Sequence, residues 1–285
     1  MYPLLYFTHN THTERYTMTF IKTNTTMWTS PNQSLGLNNI APQPTPTNNL
    51  GGAFKPKKAG KDKSHVIFVL DDSSSMQSCR KQTIEGFNEF LEGQKVDATE
   101  TDIETFVSLY KFDGSNVNCV IDQTDVQSVE PLNEKTYNPR GSTNLLDAMG
   151  GVMMKTNLQL SEKKKKNRES VIVVILTDGE ENCSRTFANN DIKQMVEKAE
   201  GKNWGFMFLG ANIDAFSVGA SMGFSQHNTM QYSTKNMGET MRSASAMSSR
   251  MKSAYASGMD TTIAYASSTF TEEERLSAVN DDSND

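Results

Sequence analysis

The sequence has few cysteines and no long apolar run. Cys79, Cys119 and Cys183 are an odd number and include no Cys-x-x-Cys pair, so a zinc knuckle or redox motif is not expected. No stretch approaches the roughly 20 apolar residues of a membrane-spanning helix. The first residues also lack the basic lead and the apolar segment of a secretory signal. We therefore expect an intracellular, cytoplasmic protein with reduced thiols and no membrane partner.

Sequence signatures of several enzyme classes are missing. There is no His-Glu-x-x-His, phosphate-cradling Gly-Lys-Ser/Thr or Asp-x-Asp motif. Net charge is -6 and the pI is about 5.4, so bulk attraction to nucleic acid is not expected. The one basic run, residues 163–166, is interpreted as a solvated loop. Neither an enzyme nor a nucleic-acid-binding protein is indicated.

Composition divides the chain into three parts. Residues 1–63 are dominated by Thr, Asn and Pro without a sustained period, which predicts a disordered or linker-like segment. Residues 64–257 alternate between strand and helix patterns and form the predicted domain, including a C-terminal helix. Residues 258–285 end in acidic positions and predict a flexible tail.

The alternation of patterns predicts an α/β fold with a doubly wound, mostly parallel sheet and helices on both faces. Continuous apolar runs at 65–70 and 171–176 are typical of strands buried on both faces. Asp113-Gly114 joins two β-rich runs and predicts a hairpin that supplies one antiparallel edge strand. Methionines recur at helical spacing in 237–251, which we interpret as core packing.

Oxygen-bearing side chains follow both buried runs. Asp71, Ser73 and Ser75 occupy alternate positions after the first run, Thr143 precedes a helical pattern, and Asp178 follows the second run. Such oxygens suit Mg²⁺, Mn²⁺ or Ca²⁺ rather than zinc, and ligand sites of open α/β sheets lie at the carboxyl ends of strands. The serines alone could instead cap the helix that follows them. With all five residues in this order, a metal site is the stronger interpretation.

The Asp-x-Ser-x-Ser motif, followed by Thr and then by Asp after a buried strand, resembles the metal-ion-dependent adhesion site (MIDAS) of the von Willebrand factor A domain. The likeness covers roughly residues 64–223. Residues 177–182 and 208–216 are similar to stand-alone intracellular members from bacteria and bacteriophages. The resemblance implies a Rossmann-like fold and a cytoplasmic protein of a bacterium or, if viral, of its host.

The resemblance also implies roles for the five residues. Ser73, Ser75 and Thr143 would touch the metal directly, whereas Asp71 and Asp178 would act directly or through bound water. The resemblance further implies an open coordination position that takes an Asp or Glu of a partner protein. Ser74 stands where the family often has Gly, and this departure removes no ligand. The leading hypothesis is a metal-dependent protein-binding module.

Two other functions use some of the same residues. A receiver domain for phosphotransfer would use Asp71, Asp72 and Asp113, but the run at 209–212 lacks the Lys that such a domain needs after a late strand. A Mg²⁺-dependent hydrolase would need a general base near its activated water. None of the four histidines stands near the motif segments in a recognisable arrangement. Both alternatives are therefore weaker hypotheses.

Overall fold

Eight strands form one sheet in the computed structural model, which describes residues 4–10, 15–21, 62–164 and 169–279. The strands are β1 (Leu4–Asn10), β2 (Arg15–Ile21), β3 (Asp62–Asp71), β4 (Ile103–Phe112), β5 (Val117–Asp125), β6 (Ser170–Thr177), β7 (Trp204–Gly210) and β8 (Thr229–Gln231). Their order across the sheet is β1-β2-β5-β4-β3-β6-β7-β8. From β4 to β8 all neighbours are parallel, while β5 pairs antiparallel with β4. The predicted mostly parallel sheet with one antiparallel strand in the domain is confirmed.

Seven α-helices are present among the described residues. They are α1 (Arg80–Glu100), α2 (Leu145–Glu162), α3 (Asn189–Glu200), α4 (Ala215–Ser221), α5 (Met237–Ala256), α6 (Thr261–Ser267) and α7 (Glu272–Val279). One core lies between the sheet and α1 with α5, and the other lies between the sheet and α2 with α3. In β3, Phe68 faces the first core and Val69 faces the second, which is why the strand is apolar at every position from Val66 to Leu70. None of the helices in these ranges is both long and apolar enough to cross a membrane.

The amino-terminal region differs from the sequence-based expectation at residues 4–10 and 15–21. β1 and β2 pair antiparallel, and β2 joins β5 through the Tyr16–Cys119 and Thr17–Asn118 pairs. Both strands contain aromatic and β-branched residues, which favour extended backbone within a Thr-rich background. Pairing with β5 gives β2 its hydrogen-bonding partner in the sheet, and local composition does not indicate this pairing. Asp62 and Lys63, the last residues of the predicted 1–63 linker, are the first residues of β3. Residues 1–3, 11–14 and 22–61 lie outside the described ranges.

The carboxyl-terminal region also differs, because the expected flexible tail at 258–285 contains α6 and α7. Phe270 and Ala278 are buried against the core. The Arg250 guanidinium donates to both carboxylate oxygens of Glu274 at 3.0 and 2.9 Å. α7 therefore docks on the domain through Ala278 and the Arg250–Glu274 pair, which are contacts with distant parts of the chain. The six residues after α7 lie outside the described ranges.

The close approach of α1 and α5 depends on small residues. A Cβ at Gly93 would lie 2.4 Å from Ser245 Oγ and 3.2 Å from Ser245 Cβ. Rotating the serine hydroxyl would relieve the 2.4 Å overlap only by breaking its bond with Gln94, and the 3.2 Å contact with Cβ would remain tight. Gln94 beside it is buried and donates to Ser245 Oγ at 2.8 Å. The two helices are therefore held at short range by a glycine contact and a buried polar pair.

We expect Gly93→Ala to lower the free energy of unfolding by about 1 to 2 kcal/mol, because overpacking outweighs the gain in helix propensity. Urea unfolding followed by circular dichroism measures the change. Gly201→Ala is the matched control, since φ there is -67° and no heavy atom lies within 4 Å of the added Cβ. Equal stability of the Gly93→Ala protein and the wild type would show that the helices separate without penalty.

Candidate metal site

Both acidic residues of the predicted site lie at one end of the sheet. Asp71 is the last residue of β3 and Asp178 directly follows β6, and these strands are parallel neighbours paired as far as Leu70 and Leu176. Asp71 is 0% exposed and Asp178 is 5% exposed. The pairing of the two apolar strands therefore brings two buried carboxylates to the same place.

The serines connect the two acids. Ser73 N–H donates to Asp71 Oδ1 at 2.7 Å, and Ser73 Oγ lies 3.1 Å from Ser75 Oγ. Ser75 Oγ then donates to Asp178 Oδ1 at 2.6 Å. Ser73 precedes a short 3₁₀ helix (Ser74–Cys79) but makes no side-chain capping bond to it. The hydroxyls are thus directed into the site rather than used as a helix cap.

Thr143 joins the same group through its position beside Gly179. A Cβ built on Gly179 would lie 3.2 Å from Thr143 Oγ1, 3.4 Å from Ser75 Oγ and 3.9 Å from Asp71 Oδ2. These three oxygens, from two loops and one strand end, therefore surround one small space. The space is open because Gly179 has no side chain. All five residues singled out in the sequence meet here, and their role as metal ligands remains a prediction.

Asp71 is oriented by residues outside the motif. Thr177 Oγ1 donates to Asp71 Oδ2 at 2.6 Å and accepts the Gly179 N–H at 3.1 Å. The buried Tyr137 hydroxyl donates to the Asp71 backbone carbonyl at 2.7 Å. Thr177 stands beside Asp178 in the sequence and could have been noticed there. Tyr137 carries no local signal, because its contact spans 66 residues of chain.

Hydrogen bonds join the loop after β6 to the start of α2. Thr143 N–H donates to Asn182 Oδ1 at 3.0 Å, and Asn182 N–H donates to the Thr143 carbonyl at 3.1 Å. Glu181 accepts from the Leu146 N–H at 2.9 Å. Asp147 accepts from the backbone N–H groups of residues 185–187 at 2.9 to 3.0 Å. Glu181 therefore braces the loop.

Two further acids near the site, Asp72 and Asp113, have their own partners. Asp72 Oδ2 accepts from Lys111 Nζ at 2.8 Å. Asp113 Oδ1 accepts the N–H groups of Ser115 and Asn116 at 2.7 and 3.0 Å, within the hairpin turn. These contacts give Asp72 and Asp113 structural roles beside the site.

Burial disfavours the charged forms of Asp71 and Asp178. Burial raises the pKa of Asp71 to about 6, against the opposing effect of hydrogen bonds from Thr177 and Ser73. Burial also raises the pKa of Asp178, opposed by the bond from Ser75. In the described part of the chain, no three His, Cys, Asp or Glu side chains form a metal-binding group. The oxygens gathered here come from two carboxylates and three hydroxyls, and a divalent cation would supply the charge that the buried acids lack.

The raised pKa of Asp71 makes a prediction for the metal-free protein. The folded state holds this proton more tightly than the unfolded chain, so the stabilisation is fully present below about pH 4 and is lost as the pH rises through about 6. A shift of about two units corresponds to about 3 kcal/mol. We expect Asp71→Asn to raise the free energy of unfolding in EDTA at pH 7.5 by about 2 to 3 kcal/mol.

Urea unfolding of both proteins in EDTA at pH 5 and pH 7.5 measures this difference. An asparagine keeps the local bonds, because Thr177 Oγ1 can accept from its amide and turn its own proton to the Gly179 carbonyl, 3.1 Å away. Glu180→Gln, an exposed change in the adjoining loop, is the control and should leave stability almost unchanged. If the Asp71→Asn protein were less stable than the wild type at pH 7.5, the predicted cost of the buried Asp71 charge would be contradicted.

Comparisons with solved structures identify several proteins of similar fold. Proximal thread matrix protein 1 from the mussel byssus is 14% identical over 65% of this chain and 45% of that chain, with a TM-score of 0.45. A form of it with a zinc-occupied MIDAS motif is 13% identical over 66% and 46%, with a TM-score of 0.46. The ArnB paralog VWA2 from Sulfolobus acidocaldarius is 17% identical over 64% and 45%, with a TM-score of 0.44. This chain thus spans less than half the length of each of them.

Sequence comparison with curated proteins finds no match. Comparison with protein-family models matches residues 65–250 to the von Willebrand factor type A domain. The match contains both strand ends, the Thr143 loop and α2, and it confirms the resemblance found in the motifs. Since the matched residues make up well over half of the sequence, the chain belongs to the von Willebrand factor type A domain family.

Proposed function

We propose that the protein binds Mg²⁺ or Mn²⁺ and uses the ion to hold a carboxylate of a partner protein. The metal ligands, direct or through water, are Asp71, Ser73, Ser75, Thr143 and Asp178. The observation that carries the proposal is the convergence of hydroxyl and carboxylate oxygens around the space beside Gly179. Family membership supports it, because the same order of residues forms the metal site of this family.

The donor set suits an ion that remains able to bind another ligand. Neutral hydroxyls neutralise little of the charge of a divalent cation, and Mg²⁺ requires near-octahedral coordination by oxygen. The carboxylates hold their hydroxyl partners by hydrogen bonds, as Asp178 does with Ser75. The ion would therefore remain electrophilic toward an oxygen ligand from outside.

One side of the site faces solvent. Ser74 and Ser75 are exposed, as are Gly141 and Ser142 in the facing loop, whereas Asp71 and Thr143 form a buried floor. A ligand oxygen from another molecule would enter between these two loops. An Asp or Glu side chain fits this path, because it is short, anionic and complementary to the cation.

Binding is favoured over catalysis by the surroundings of the site. His65 lies at the start of β3, about 20 Å along the strand from Asp71, and is bound to Ser108 Oγ at 2.8 Å. Asp72 and Asp113, which a receiver domain would use, are engaged by Lys111 and by the hairpin turn. We therefore propose an interaction module rather than an enzyme. The three thiols are free, which fits a reducing, cytoplasmic location.

We expect Thr143→Val to weaken Mn²⁺ binding at least about tenfold while the fold is retained, because it removes one ligand oxygen and keeps the side-chain shape. Isothermal calorimetry measures the affinity and circular dichroism monitors the fold. Ser142→Ala removes an exposed hydroxyl from the same loop and should bind Mn²⁺ as the wild type does. Wild-type affinity in a folded Thr143→Val protein would remove Thr143 from the site.

We expect association with a partner to require the ion and to fail in Asp178→Ala, since losing a charge-assisted contact costs about 2 to 5 kcal/mol. Pull-downs from host cells with Mn²⁺ or EDTA, read by mass spectrometry, would find the partner. Changing each acidic residue of that partner to its amide then identifies the metal-bound carboxylate. Glu180→Gln is the charge control, because Glu180 is exposed in the same loop. A partner indifferent to EDTA, to Asp178→Ala and to all of its own amide changes would place recognition on another face.

A further inference from the structure

Arg140 is an exposed residue on the rim of the candidate metal site, with a side chain that is 75% exposed. Its backbone N–H donates to the Asp72 carbonyl at 2.6 Å, and the carbonyl of Gly141 accepts the Ser74 N–H at 3.0 Å. These bonds hold the loop that carries Thr143 against the turn after β3. The backbone of Arg140 is therefore fixed directly beside residues that the proposed function assigns to the ion.

The guanidinium of Arg140 lies on the β4 side of the site. Arg140 Nε is 3.9 Å from Asp113 Oδ2, and Asp113 directly follows β4. Phe112, the last residue of β4, pairs with Asp71, the last residue of β3. Neighbouring strands are roughly 5 Å apart, so the end of β4 lies about that far to the side of the Asp71 backbone. A positive charge thus borders the site on this side.

The charge of Arg140 is only weakly engaged by its own domain. Its 3.9 Å contact with Asp113 is longer than a hydrogen bond, and ion pairs with so exposed a partner contribute little to stability. Asp113 already accepts two backbone N–H groups of the hairpin turn through Oδ1. The neighbouring Asp72 accepts from Lys111 Nζ at 2.8 Å. Arg140 can therefore turn to an acid of another molecule without leaving either carboxylate unpartnered.

The opposite side of the site carries the opposite charge. Glu180 is exposed in the loop after β6, and β6 is the neighbour of β3 on the side away from β4. The rim is thus positive at Arg140 and negative at Glu180, with the two buried acids between them. A second carboxylate beside a metal-bound one would be attracted toward Arg140 and repelled by Glu180. The two rim charges therefore favour one direction for an acidic segment.

We propose that Arg140 is a specificity-determining residue, which selects a partner segment with two acidic side chains, one for the ion and one for the guanidinium. The inference rests on the proposed function, because it requires an ion that holds the first carboxylate. In an extended segment, residues two positions apart point to the same side and lie about 7 Å apart, a span that acidic and arginine side chains bridge. The guanidinium then binds the second carboxylate through charge-assisted hydrogen bonds.

Two short capped peptides test this selection, one with a single Asp among glycines and one with a second Asp two positions away. Water-proton relaxation of the Mn²⁺-loaded protein measures their affinities, because it falls when a carboxylate displaces water from the ion. Arg140→Gln removes the rim charge and keeps the backbone bond to Asp72. Arg185→Gln is the matched control, since Arg185 is also exposed but lies in the loop after β6, where its N–H donates to Asp147.

The preference of the wild type for the two-acid peptide should be about threefold to fivefold greater than that of Arg140→Gln, the upper range for an exposed ion pair. Arg185→Gln should keep the wild-type preference. The statistical advantage of a second carboxylate is the same in every variant and cancels in this comparison. Both variants should bind Mn²⁺ at least as tightly as the wild type, since each loses a positive charge near a cation site.

An unchanged preference in Arg140→Gln, or an equal loss of preference in both arginine variants, would overturn the role of Arg140 while leaving the metal site standing. Weaker Mn²⁺ binding in Arg140→Gln would attribute its effect to a disturbed loop and overturn the role as well. Failure of the wild type to bind Mn²⁺, or of the Mn²⁺-loaded wild type to bind either peptide, would instead overturn the proposed function, and with it this inference.

Discussion

Two carboxylates buried at one end of the sheet are the constraint on which the site depends. The parallel pairing of β3 with β6 places Asp71 and Asp178 there, and burial raises the pKa of both. Their neighbours are donors without charge, namely hydroxyl and backbone groups. Under the proposed function a bound cation would offset part of the desolvation of the two charges, which hydrogen bonds alone do not offset. The domain thus carries a local instability that binding would relieve.

The surrounding loops are organised to keep those oxygens together. Asn182 exchanges two hydrogen bonds with Thr143, and the carboxylates of Asp147 and Glu181 receive backbone N–H groups from across the same junction. These bonds join the loop after β6 to the amino end of α2. A ligand set drawn from separate loops needs such bracing, because side-chain entropy would otherwise spread the oxygens apart. Asp147 and Glu181 are therefore structural supports of the site.

The apolar packing between the sheet and its helices explains how the domain tolerates two buried carboxylates. Both faces of the central strands are buried under helices, with β3 contributing to two separate cores. The helices α6 and α7 extend the domain beyond the family match, which ends at residue 250, and they dock through Phe270, Ala278 and the Arg250–Glu274 pair. Apolar burial of this extent can offset a few kcal/mol of unfavourable electrostatics at one edge. The site can therefore be organised for an ion rather than for maximum stability.

The sequence by itself determined the fold class, the two buried strands and the order of the five oxygen-bearing residues. Continuous apolar runs and turn chemistry are local signals, so they are readable without coordinates. Only the tertiary structure decided that Thr143 and Ser75 lie beside Gly179, that Tyr137 supports Asp71, and that α6 and α7 are helices docked on the core. It also decided that β2 extends the sheet at β5. These outcomes depend on contacts between segments far apart in the chain, where the energy of packing and pairing overrides local composition.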